Sequence, residues 1–146
     1  MSAADAPAWI FWAILSACFA AMTAICAKIG LQGVDPDLAT LVRTAIILVV
    51  LALFVAYAGK WSNPLVLAPR TLLFLALSGL ATGASWVCYF RALQAGPAHR
   101  VAPIDKLSVV LVAVFGVSFL GERLSGINWL GIAAITGGAV LVAYRG

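Results

Sequence analysis

Five long apolar segments, each of about the length that crosses a bilayer, constrain this chain more than any other feature. A spanning helix needs about 20 mostly apolar residues, and the runs at about 8–29, 37–58, 70–94, 98–120 and 127–144 supply them. Backbone groups in a lipid core must be satisfied within the segment, so each run predicts a helix. The connections between them are short, which makes neighbouring helices antiparallel and leaves no room for a second, soluble domain. The expected fold is therefore all-α: a polytopic membrane protein of five transmembrane helices, built as one domain over residues 1–146.

Composition agrees. Hydrophobic residues make up 64% of the 146 and charged residues 10%, against about 25% charged in a soluble domain. The net charge is +4, but the cations stand singly between apolar segments rather than in a basic patch, so no nucleic-acid partner is expected. The segment before Ala8 carries Asp5 and no cation, so the first run reads as a retained helix rather than a signal peptide. Cys18, Cys26 and Cys88 all lie inside apolar runs. Their odd number and their spacing argue against a disulfide framework or a zinc site.

The boundaries carry recognisable punctuation. Trp9 and Trp12 suit one interface and Lys28 the other, and Gly30 and Gly33 end the first run. Asp35 is placed to cap the second helix, with Pro36 at its first position and Asp37 in its first turn. Gly59-Lys60-Trp61 stop it, and Ser62-Asn63-Pro64 mark a loop followed by surface residues 65–68. Gly96-Pro97 close the third run, and Gly121-Glu122-Arg123 the fourth. Trp129 and Tyr144 suit interfacial positions on the fifth.

Orientation is nearly balanced. With the N-terminus outside, Lys28, Arg43, Arg91, Arg100, Lys106 and Arg145 face the cytoplasm, against Lys60, Arg70 and Arg123. Arg43, Arg91 and Lys106 lie inside their spans, and without them three cations remain on each side. Two readings stand: one fixed orientation with the N-terminus outside, or insertion in both directions.

Polar residues inside the spans are the candidate site. Ser78, Thr82, Ser85 and Tyr89 fall four, three and four residues apart, one face of the third helix. Trp86 and Phe90 continue beside them, as do Gly79 and Gly83. Such a face suits the wall of a cavity for an amphipathic solute. Alternatively, the hydroxyls bond their own i−4 carbonyls and the glycines pack against a neighbouring helix. Gly131, Gly137 and Gly138 on the fifth helix point to close packing.

Asp105 is the only carboxylate in the body of any predicted span, Asp37 standing in a first turn, and Lys106 follows it. Consecutive residues do not face each other on a helix, so they are not expected to form a ready-made ion pair. Two accounts remain open. If Pro103 is the first helical residue, Asp105 falls in the first turn, where a carboxylate favours the dipole, and Lys106 snorkels. If the helix starts near Pro97, Pro103 is a kink, and Asp105 needs a partner such as Lys28, Arg43 or Arg91. His99 sits in a short loop with no second histidine, so no enzyme activity, metal site or cofactor is expected.

The segments Ala27–Leu31 (AKIGL), Ala92–Val112 (ALQAGPAHRVAPIDKLSVVLV), Phe119–Ser125 (FLGERLS) and Gly131–Val142 (GIAAITGGAVLV) together resemble the EamA-type repeat of the drug/metabolite transporter superfamily. Most members carry two such repeats, with the halves inverted; this chain holds one. The resemblance implies a secondary transporter of the cell (inner) membrane. Its activity would be export or exchange of a small metabolite or amphipathic compound by alternating access, as an antiparallel homodimer. It also implies a path beside the first four helices, near the third-helix stripe and Asp105/Lys106, with Lys28 and Arg43 as further cations. The smallest multidrug members use a carboxylate in the first helix, and this first span has none, which argues against cation–proton antiport through such an acid. A non-transporting membrane subunit of a larger complex is the alternative.

Overall fold

In the computed structural model, residues 8–63 and 66–144 are described. Asp5, Pro64, Leu65 and Arg145, on which parts of the sequence reading fall, lie outside them. The described residues form six helices: α1 (Ala8–Gly30), α2 (Pro36–Tyr57), α3 (Pro69–Ala95), α4 (Ala98–Asp105), α5 (Ser108–Phe119) and α6 (Gly126–Ala143). Five segments are long and apolar enough to cross a membrane, α4 and α5 together supplying the fourth. The protein is an all-helical, multi-pass membrane protein.

The helix ends follow from local chemistry. Asp35 accepts at Oδ1 from the backbone N–H groups of Asp37 and Leu38 (2.9 and 3.0 Å), with Pro36 at the first helical position. At the other end of α2, Gly59 takes φ +65°. Gly59 N–H donates to the Ala56 carbonyl and Lys60 N–H to the Val55 carbonyl. This is the paired closure that a glycine in the left-handed region permits.

Helices α2 and α3 fall in one compact unit, and α1, α4, α5 and α6 in another. Within the first, α2 packs against α3 as an antiparallel pair, with Thr40, Phe90 and Leu93 buried. Within the second, α4 packs on α6, and the buried positions of α1, α5 and α6 are small: Ala24, Ala113, Gly116 and Ala139. Small residues let helices approach closely where burial of apolar surface gives no advantage over lipid. Gly116 also ends α5, its carbonyl accepting from the N–H groups of Leu120 and Glu122 at 3.1 Å each. The Glu122 carboxylate folds over it, 2.6 Å from where a Cβ would stand.

The glycines singled out in the sequence behave otherwise. Among the described residues, and leaving out each helix's own backbone, nothing lies within 4 Å of a Cβ added at Gly79, Gly83, Gly131, Gly137 or Gly138.

Candidate functional site

The fourth span resolves the question of Pro103. Pro97 precedes the first helical residue, its carbonyl accepting from the N–H groups of Arg100 and Val101, and Pro103 lies inside α4. Proline has no N–H and crowds the carbonyl four residues back. Two residues later the helix ends. Leu107, Val109 and Val110 then donate to Ile104, Lys106 and Leu107, each three residues back, at 3.0 Å. The ladder therefore changes to the tighter three-residue pattern across residues 106–107 before α5 begins.

Asp105 consequently sits at the last position of α4 and not in a first turn, which corrects that account of its placement. The expectation that Asp105 and Lys106 are not paired is also corrected: Lys106 Nζ lies 3.2 Å from Asp105 Oδ2. The spacing rule applies to a regular helix, and the break at Lys106 lets its long side chain turn back. Lys28, Arg43 and Arg91, considered as partners for Asp105, are engaged elsewhere. Lys28 Nζ donates to the Gly96 carbonyl at 2.9 Å.

Between α2 and α3 the structure gathers a second set. Arg43 stacks with its guanidinium carbon 4.3 Å from the Trp86 ring centroid and 5.2 Å from that of Phe90. Trp86 and Phe90 are four residues apart, so their rings share one face of α3. Arg91 meets Asp37 in a two-point ion pair, Nη2 to Oδ2 at 2.6 Å and Nε to Oδ1 at 2.9 Å. Gln94 Nε2 donates to the Val34 carbonyl at 3.1 Å. These contacts step along both helices in antiparallel register. The Asp37–Arg91 pair escaped the sequence reading. A signal was present: both charges stand within about a turn of the same end of two antiparallel neighbours.

The hydroxyl stripe lies on the surface of α3. Ser78, Thr82 and Ser85 are exposed and Tyr89 is partly buried. Thr82 Oγ1 donates to the Ser78 carbonyl at 2.8 Å, which leaves its lone pairs for a solute or water. Thr40, Thr44 and Thr136 bond back in the same way. Of the candidate residues, then, Arg43 and Trp86 are in contact in the α2–α3 unit, beside Tyr89 in sequence, and Asp105 and Lys106 meet in the other unit.

Comparison with known proteins sets these residues in context. An uncharacterized transporter from the cobO 3′ region of Sinorhizobium sp is 61% identical over 135 residues, covering 92% of this chain and 96% of that protein. A probable 4-amino-4-deoxy-L-arabinose-phosphoundecaprenol flippase subunit ArnE of Yersinia pestis is 32% identical over 75 residues, 51% of this chain and 66% of the relative. A putative nucleotide-sugar transporter YMD8 of Saccharomyces cerevisiae is 36% identical over 67 residues, 45% of this chain and 15% of the relative. No solved structure is matched. Residues 7–144 match the EamA-like transporter family, and with that span covered the chain belongs to the EamA-like transporters.

Proposed function

We propose that this family member is a half-size secondary transporter. It exports or exchanges a small metabolite or amphipathic compound by alternating access across the cell (inner) membrane, as an antiparallel homodimer. The observation that carries this reading is the open polar and small-residue surface. Ser78, Thr82 and Ser85 are exposed, and among the described residues nothing outside its own helix lies within 4 Å of a Cβ added at Gly79, Gly83, Gly131, Gly137 or Gly138. Many transporter folds move one inverted repeat against the other around a site at their interface. Five helices make one such half, and a second copy inserted the other way supplies its mate. Asp105 and Lys106, at a broken span, and the α3 stripe are the residues we assign to the path. We assign Lys28, Arg43, Trp86 and Tyr89 to it as well.

The names of the relatives support a solute of this kind, one being a nucleotide-sugar transporter and another a flippase for a sugar–phosphoundecaprenol. The word subunit in the second name favours one other reading, in which this chain pairs with a different polypeptide. The test begins with metabolite profiles of cells with and without the protein. Flux of the differing solute into proteoliposomes holding the purified chain alone follows. Flux from the single chain supports the homomeric transporter, and flux that needs a second polypeptide favours the heteromer. No flux in either arrangement sinks both.

A further inference from the structure

Arg43 stands about two turns into α2, a spanning helix, and is partly buried. Its guanidinium is spread over Trp86 and Phe90. A guanidinium carries five N–H donors in a planar fork, and a ring contact is not a hydrogen-bond acceptor of the carboxylate or phosphate kind. Among the described residues, the partners of Arg43 are the two rings and, electrostatically, Tyr89, and it pairs with no carboxylate. The carboxylate nearest in sequence on α2, Asp37, is occupied at both oxygens by Arg91. Stacking offsets only part of the cost of an unpaired cation inside a span. A cation held between two rings inside a span, with Tyr89 as its electrostatic neighbour and no carboxylate paired to it among the described residues, can take an incoming acceptor.

We propose that Arg43, clamped by Trp86 and Phe90, is an oxyanion subsite that takes a carboxylate or phosphate group of the transported solute. The fork matches two oxygens of one such group, and the aromatic clamp fixes its orientation before the solute arrives. Asp37 contributes by holding Arg91, so the two guanidinium groups do not compete for one anion. This deepens the transport reading by naming the chemistry of the solute, and it rests on that reading for its physiological meaning only.

Binding tests it apart from flux. The full chain in phosphatidylcholine nanodiscs is unfolded thermally with inorganic phosphate as probe, chloride at matched ionic strength and glucose serving as controls. A ligand that binds the folded state raises the midpoint. We expect a rise with phosphate and none with glucose, lost in Arg43→Gln and partly kept in Arg43→Lys, which retains charge without the fork. Trp86→Ala should weaken the phosphate response roughly threefold to thirtyfold in affinity, as expected for a lost cation–π contact. A parallel series in discs containing phosphatidylglycerol separates the sources: a response to that lipid and not to soluble phosphate overturns the solute assignment in favour of a headgroup. No response of the wild-type chain to either, or a phosphate response that survives Arg43→Gln, overturns the subsite. Phosphate binding without flux leaves the subsite and removes the transport reading; flux that is intact in Arg43→Gln, with no phosphate binding, does the reverse.

Discussion

Replacing Pro103 with alanine should make the protein more stable and slower. In α4 the residue removes one donor to the His99 carbonyl, and its ring crowds that carbonyl. A proline deep in a helix costs about 3 kcal/mol relative to alanine. Here α4 ends at Asp105, two residues on, so one helical hydrogen bond is at stake, with a net worth of about 1 kcal/mol. Relief of the ring clash adds to it, and we take about 1–2 kcal/mol for Pro103→Ala. If transport requires the span to bend at residues 106–107, regularising the helix opposes that bend by the same amount. The bending step then slows by about fivefold to thirtyfold. Thermal unfolding in nanodiscs and flux of the identified solute in proteoliposomes are measured on the same preparation. A raised midpoint with unchanged flux refutes the break as a moving part. A lowered midpoint refutes the structural account of Pro103 itself.

Three further outcomes are expected. Asp105→Asn should preserve folding but lower flux strongly or alter its pH dependence, and flux that is unchanged across pH excludes a role for this acid; Lys106→Gln should impair anionic more than neutral solutes. Cysteines placed at Ser78, Thr82, Ser85 and Tyr89, in a chain lacking Cys18, Cys26 and Cys88, should react with polar thiol reagents. Protection at all four, with labelling at neighbours such as Leu77, means that a different face of α3 is wet. Reporter fusions at the C-terminus should give signal on both sides of the membrane. Two arginines added beside Lys60 should fix one orientation and silence the chain until an oppositely biased copy is supplied, whereas an active homomer of one orientation rules out antiparallel pairing.

What could be read from the residues follows the range of the forces involved. The five spans were legible because length and apolarity alone fix them in lipid. The start of α2 was legible because Asp35, Pro36 and Asp37 act within one turn. The division of the fourth span was half legible: Pro103 announced a disturbance, but whether it began or interrupted a helix depends on packing of α4 against α6. The Asp105–Lys106 contact was misjudged for the same reason, a regular-helix rule having been applied at a helix end. Arg91 with Asp37, 54 residues apart, and Arg43 over Trp86 require the register of two helices. Periodicity cannot supply that register.

The change of hydrogen-bond pattern at residues 106–107 also gives this span an address in time. Amides in the middle of an unbroken helix inside lipid are released slowly, whereas its ends fray by local opening. Here the three-residue bonds of Leu107, Val109 and Val110 form a seam that can part while α4 and α5 stay wound. Deuterium should therefore enter at this seam sooner than at the middle of an unbroken span. A pulse taken during turnover would make the seam a clock for the transport cycle, readable without knowing what is carried.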